Sequence, residues 1–161
     1  MTASSCVFCR IVAGNSEASI IWQDEDAMAL MSLRGVNKGD CMLIPKEHIE
    51  HFSSIPDPLA AKMLLVAQRI GRRILELYRP QRIGYVVHGY GVPHAHLLIV
   101  PQNHPNDITS RKFMRVVDGE IEFTEKILPL IPREELDRMA AELAIENPPR
   151  FFLSDRSKDG S

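Results

Sequence analysis

Residues able to do chemistry near neutral pH gather in two places. His94-Ala95-His96 sets two imidazoles two residues apart, and Cys6-Val7-Phe8-Cys9 sets two thiols three residues apart. On an extended strand side chains alternate between faces, so His94, His96 and Leu98 are expected to project together while Ala95, Leu97 and Ile99 pack on an apolar core. An imidazole held on a stiff support is a nucleophile or base at pH 7 without a large shift in pKa. Two hydrogen-bonded histidines at a sheet edge are the structural alternative. The Cys-x-x-Cys spacing points to metal or redox chemistry, with two small buried thiols near a helix start as its own alternative.

The elements that must position these groups are legible around them. Ile20-Ile21-Trp22, Ala27 to Met31 and Cys41 to Ile44 are short apolar runs separated by Asp24-Glu25-Asp26 and Asn37-Lys38-Gly39-Asp40, the punctuation of an antiparallel meander. Between Pro58 and Tyr78, Leu59, Met63, Val66, Ile70, Ile74 and Leu77 recur at three- and four-residue spacing. This predicts an amphipathic helix of about five turns, ending before Pro80. Ile83 to His88 and His94 to Val100 are expected to be two further strands joined by a turn at Gly89-Tyr90-Gly91. Segment 102–112 is polar and loop-like, Val116 to Phe123 suits a hairpin around Asp118-Gly119, and Pro132 to Ile145 suits a second helix with Glu134 and Glu135 in its first turn. A frayed polar tail is expected from about Ser154.

Bulk properties narrow the class. A chain of 161 residues supports one domain with a core of its own. With 45% hydrophobic residues, 25% charged residues and a net charge of −2, it is neither a disordered chain nor a coat for a polyanion, so no nucleic-acid polymer is expected as partner. No window approaches the ~18 uninterrupted apolar residues of a membrane span, and no basic start precedes an apolar stretch. The expected location is the cytoplasm, with no membrane partner. Three cysteines are an odd number for a disulfide framework.

Taken in order, Cys-x-x-Cys-x-Ile, the hairpin, Ile44-Pro45-Lys46-Glu47-His48-Ile49, the amphipathic helix and Val92-Pro93-His94-Ala95-His96 running to Val100-Pro101 resemble the histidine-triad (HIT) family over about residues 6–101. The resemblance implies an α+β fold, an antiparallel sheet with one long helix packed on it. The chain is accordingly expected to divide into a HIT-like domain at 1–110 and a C-terminal extension at 111–161, which the resemblance does not cover, carrying the second helix and packing on or near that domain. The resemblance also implies a homodimer that joins the sheets of two subunits.

In proteins of this kind the middle histidine of a His-x-His-x-His strand, here His96, attacks the α-phosphorus of a nucleotide, and water or another acceptor resolves the nucleotidyl-histidine. The implied substrate is a purine nucleotide, or a dinucleoside polyphosphate or nucleoside phosphoramidate. His94 and backbone amides of Gly89 to Gly91 are the candidate donors to the phosphoryl oxygens. The positions matching a structural zinc site are Cys6, Cys9, His48 and His94, a closed two-sulfur, two-nitrogen set. Those matching the apolar base pocket are Phe8, Ile11, Leu30 and Leu33, each of which also has an ordinary core role.

Four departures from the family pattern touch the substrate. Leu98 replaces the third histidine, Ser32 stands where an acid usually meets the ribose, the loop before the strand has shrunk to His88-Gly89-Tyr90-Gly91, and Asp40 stands where a histidine usually follows the glycine of the third strand. His88 and Tyr90 can replace donors lost with the loop, His88 as an acid for the leaving group, or stand by as bystanders. His51 and His104 are expected to be surface residues, and Arg34 and Lys46 to be solvated side chains or added charge near the phosphates. Three functions follow. The leading one is a nucleotidyl hydrolase or transferase; the others are a nucleotide-binding module without turnover and metal catalysis on an open zinc site built from His88, His94 and His96.

Overall fold

The computed structural model describes residues 5–89, 91–108 and 113–147. A short helix, α1 (Val7–Val12), leads into the strands β1 (Ile20–Gln23), β2 (Ala27–Met31) and β3 (Cys41–Pro45). The long helix α2 (Asp57–Tyr78) follows, then β4 (Arg82–Val87) and β5 (Leu97–Gln102). A separate hairpin of β6 (Met114–Val117) and β7 (Glu120–Phe123) precedes the last helix, α3 (Arg133–Leu143). The first five strands form one antiparallel sheet in the order β1-β2-β3-β5-β4. The expected α+β class is therefore observed.

The meander forms because its strands carry apolar residues on both faces. All five residues of β2 are buried: Ala27, Ala29 and Met31 meet α2 and α3, while Met28 and Leu30 join a second cluster with Cys6, Phe8 and Ile44 on the opposite face. The helix lies where the periodicity placed it. Met63, Val66, Ala67, Ile70 and Ile74 are its buried stripe, packed on Leu43, Leu97 and Ile99. Arg79, in the left-handed region at φ 50°, ends it ahead of Pro80. Gly71 lets the helix approach the edge strand closely, for a Cβ there would meet the Tyr85 hydroxyl at 2.2 Å.

The C-terminal segment completes the same core. Leu136, Met139, Ala140 and Leu143 of α3 are buried among residues of the sheet and α2, and Tyr78 Oη donates to Glu142 Oε2 at 2.6 Å. In the small hairpin, Asp118 and Gly119 both take positive φ (51° and 83°), the turn that matches the twist of two antiparallel strands. The tail expected from Ser154 lies outside the described residues. Among those described, no helix is long and apolar enough to cross a membrane.

One expected boundary is corrected. The strand predicted to begin at His94 begins at Leu97, and residues 91–96 form a bent lead-in. Pro93 has no amide to give, the His94 amide turns back to the Val92 carbonyl at 2.8 Å, and the Ala95 amide is given to the Ile49 carbonyl at 2.6 Å. The ladder with β3 thus starts only at the pair Leu43 and Leu97. Ala95, Leu97 and Ile99 still point into the main core, as expected.

Candidate active site and metal centre

Three segments far apart in sequence converge at His94. Cys6 caps α1, and Cys9 lies three residues on, on the same side of its first turn. His48 follows the end of β3, and His94 lies in the bend before β5. One donor atom from each of Cys6, Cys9, His48 and His94 lies within 4.8 Å of the others. The His94 Nδ1 is 3.5 Å from Cys6 Sγ and 3.7 Å from Cys9 Sγ, and the His48 Nδ1 is 3.2 Å from Cys9 Sγ.

These residues fit a metal ion. His94 Nε2 sits 2.9 Å from the Pro45 carbonyl oxygen, an acceptor only, so Nε2 carries the proton and Nδ1 turns its lone pair to the sulfurs. His48 Nε2 is buried without a hydrogen-bond partner, its nearest acid being Glu50 Oε1 at 3.9 Å. Burial, reinforced by the Cys6 sulfur, pushes the Cys9 thiol up from its ordinary pKa, and burial with His48 and His96 close by pushes His94 down. Both shifts disfavour charge in this packed site, and a divalent cation is what turns such thiols into thiolates. The expected open zinc site of His88, His94 and His96 is corrected, because both ring nitrogens of His94 are engaged, Nδ1 with the cysteine sulfurs and Nε2 with the Pro45 carbonyl.

His96 occupies a different environment. Its Nδ1 lies 2.8 Å from the His94 carbonyl oxygen, which places the ring proton on Nδ1 and leaves the Nε2 lone pair for chemistry. The ring packs edge-on against Phe8, with centroids 5.7 Å apart, and lines a cavity of about 340 Å³. That volume lies within the range of small-molecule sites. Around it stand Val87, His88, Gly89 and Val92 on one side and Glu50 to Ser53 on the other.

The remaining sequence-expected residues divide. His88 is exposed at the cavity wall. Phe8 (7% exposed) and Leu30 (4%) are packed together, with Ile11 and Val92 against them, beside the histidines. Leu33 is not with them: it is half exposed, and its carbonyl accepts the Ile131 amide at 3.0 Å. Ser32 is buried and donates its hydroxyl to Asp40 Oδ1 at 2.7 Å, while Asp40 Oδ2 accepts the Val36 amide. Gly91 is exposed at φ 101°, and its neighbour Tyr90 lies outside the described residues.

Two expectations change. The ring of His94 was a candidate donor to phosphoryl oxygens, but both its nitrogens are turned elsewhere; what it offers His96 is its carbonyl. Arg34 gives its guanidinium to the Leu128 and Lys126 carbonyls and is no free charge for a phosphate. Sequence reasoning missed the cavity wall at 50–53, His51 included, because that stretch has no periodicity or motif. The one local signal was its place directly after His48.

Known proteins resemble this chain in sequence and in fold. The HIT domain model matches residues 13–105. The Protein hit of Bacillus subtilis is 30% identical over 110 residues, covering 65% of this chain and 76% of the relative. An adenosine 5'-monophosphoramidase of Schizosaccharomyces pombe is 30% identical over 105 residues, covering 64% and 77%. A zinc-bound histidine triad family protein from Mycobacterium smegmatis superposes with a TM-score of 0.65 at 26% identity, over 88% of this chain and 95% of that one. With a domain model spanning more than half its length, and with the sheet, helix and paired histidines in place, the chain belongs to the histidine-triad (HIT) family.

Proposed function

We propose that the chain is a nucleotidyl hydrolase or transferase that works through a covalent nucleotide on His96. The observation that carries this is the hydrogen bond from His96 Nδ1 to the His94 carbonyl in a ring that faces a ligand-sized cavity. Nε2 attacks the α-phosphorus, and its bond to phosphorus forms as the bond to the leaving group breaks. The positive charge that develops on the ring is met by the His94 carbonyl at the Nδ1 proton. His88 gives the departing group its proton and recovers one from the water that then cleaves the P–N bond. The monophosphoramidase activity named for the yeast relative supports this class of chemistry.

Cys6, Cys9, His48 and His94 hold a structural Zn²⁺ in this scheme, a closed ligand set whose office is to brace the bend that carries His96. The zinc-bound mycobacterial relative supports the identity of the ion. Phe8, Ile11 and Leu30 take the purine base, with Ser32 at the ribose and Gly91 at the phosphate side. Residues 1–110 form the nucleotide-handling unit and 111–161 an extension upon it. The outermost strand β4, with Tyr85 and Val87 exposed, is the edge through which a homodimer joins its sheets. The cytoplasm, which keeps Cys6 and Cys9 reduced, is the compartment that suits such a site.

Turnover of a panel of adenylyl substrates by wild type and His96→Ala tests the proposal. It requires turnover by the wild type and a loss of at least about a thousandfold in the variant; equal rates contradict it. One observation favours a nucleotide-binding module instead: the Ser32 hydroxyl is already given to Asp40. Tight nucleotide binding by calorimetry, with no product after long incubation, selects that alternative.

A further inference from the structure

Cys-x-x-Cys is a spacing shared by metal sites and by dithiols that open and close as disulfides. Cys6 and Cys9 are placed for both uses. Cys6 stands in extended backbone ahead of α1 and Cys9 in its first turn, and their sulfurs lie within 4.8 Å of one another. A bond of about 2.05 Å is then reached by turning two short side chains, without a change of fold. Cys6 is 1% exposed whereas Cys9 is partly exposed, so a small oxidant in solvent meets Cys9 first. Cys41 takes no part: it is buried in the main core, while Cys6 belongs to the second cluster across the sheet.

When bound, a divalent ion keeps both sulfurs as thiolates, the form that reacts with oxidants. A disulfide offers no thiolate, so the four-residue cluster holds the ion or the disulfide and not both. His94 feels the exchange most. Its Nε2 is fixed to the Pro45 carbonyl and its Nδ1 faces the two sulfurs at 3.5 and 3.7 Å, so once they are joined that lone pair is buried with no donor. The carbonyl of the same residue holds His96 Nδ1 at 2.8 Å, and the Ala95 amide beside it is given to Ile49. Resting on the metal reading given above, we propose that Cys6 and Cys9 form a redox switch: a hydroperoxide closes them into a disulfide, the cluster gives up its ion, and the bend that carries His96 loosens. The Cys9 thiolate attacks a peroxide oxygen, and the O–O bond breaks to leave a sulfenic acid and hydroxide. The Cys6 sulfur then attacks that of Cys9, and the S–S bond forms as the S–O bond breaks. Each hydroxide leaves as water, with a proton taken from a thiol or from solvent, and two electrons pass from the sulfurs to the peroxide. A dithiol reductant reverses the change by exchange.

The test treats the whole zinc-loaded chain, its zinc content measured beforehand, with a small excess of hydrogen peroxide. Differential alkylation with peptide mapping follows the thiols, a chromogenic chelator follows released zinc, and hydrogen exchange follows the Ala95 amide. The expected result is a disulfide between Cys6 and Cys9 with Cys41 still free, zinc released in proportion to the disulfide, and exchange at Ala95 faster by at least about tenfold. A dithiol reductant with added zinc should restore all three, and Cys41→Ala should behave as wild type does. Thiols that survive the peroxide, a sulfinic acid on Cys9 in place of the disulfide, or an Ala95 amide unchanged after the disulfide has closed each overturn the switch and leave the metal reading standing. Zinc that stays bound after the disulfide has closed, or a chain that takes up none, overturns the metal reading and this inference with it.

Discussion

His94 turns its ring into a packed knot of sulfur and nitrogen donors and its carbonyl to the ring of His96, which lines an open cavity, and the two neighbouring regions are built in opposite ways. The knot is packed at its centre: Cys6 and His94 are 1% and 0% exposed, and His94 spends both ring nitrogens. Around the cavity, His88 and Glu50 are exposed, and the His96 ring keeps one nitrogen for a ligand. A closed donor set serves stability, because removing one member leaves the rest buried and unpaired. An open cavity serves chemistry, since its walls lose little in the folded state when a side chain is shortened. One residue joins the two, so the knot governs how His96 is held.

The sharpest way to break this contrast is at the cavity. His96→Asn should cost at least about a thousandfold in turnover while changing folding stability by no more than about 1 kcal/mol, read by denaturant unfolding. A large loss of stability with activity kept would reverse the roles of the two regions. At the knot the opposite is expected: Cys9→Ser, or chelation, lowers the melting temperature by an amount equivalent to several kcal/mol. A protein indifferent to chelator in a thermal scan would show that the knot holds no metal.

Smaller effects sharpen the same contrast away from the site. Leu143→Ala, in the core beneath α3, should destabilise by about 3 kcal/mol and leave nucleotide adduct formation at low temperature intact. Chemical denaturation beside a quench assay checks both halves of that statement. The smallest effect is expected at Lys62, whose ammonium bridges Asp24 (2.8 Å) and Asp26 and ties α2 to the β1–β2 turn. Burial alone would raise Asp24, but the Lys62 ammonium and two backbone amides outweigh it and hold the carboxyl below its ordinary range. Burial alone would likewise lower Lys62, and the two carboxylates outweigh it and hold the ammonium above its ordinary value.

The signs then fix a window. The lowered acid stabilises the fold above its unfolded pKa, and that stability is lost as pH falls through the folded value. The raised ammonium stabilises below its unfolded pKa, and that stability is lost as pH rises through the folded value. Lys62→Met should therefore cost about 1 kcal/mol near neutral pH and less in acid below the carboxylate range. Unfolding curves across pH read the difference, and a cost that does not shrink in acid would deny the ion pair its part.

Much of the fold was legible because its signals are local. The stripe from Met63 to Ile74 specifies α2, the apolar runs specify β1 to β3, and Asp118-Gly119 specifies the small turn. The four knot residues were legible only through their resemblance to a family, since no spacing rule connects Cys6 with His94. What escaped was decided by pairing across the chain. The Ile49 carbonyl claims the Ala95 amide and delays the strand to Leu97, and that same bond brings Glu50 to Ser53 against the cavity. Ser32 and Asp40, eight residues apart, find each other only once β2 and β3 have paired.

The most direct test of the account is rapid quench of the wild-type protein with adenosine 5'-phosphoramidate, followed by peptide mass mapping. The prediction is an adenylyl group on the peptide that contains His96, formed and lost at rates that match turnover and absent in His96→Asn. Turnover with no covalent nucleotide at any time, or a nucleotide carried on another residue, would contradict it.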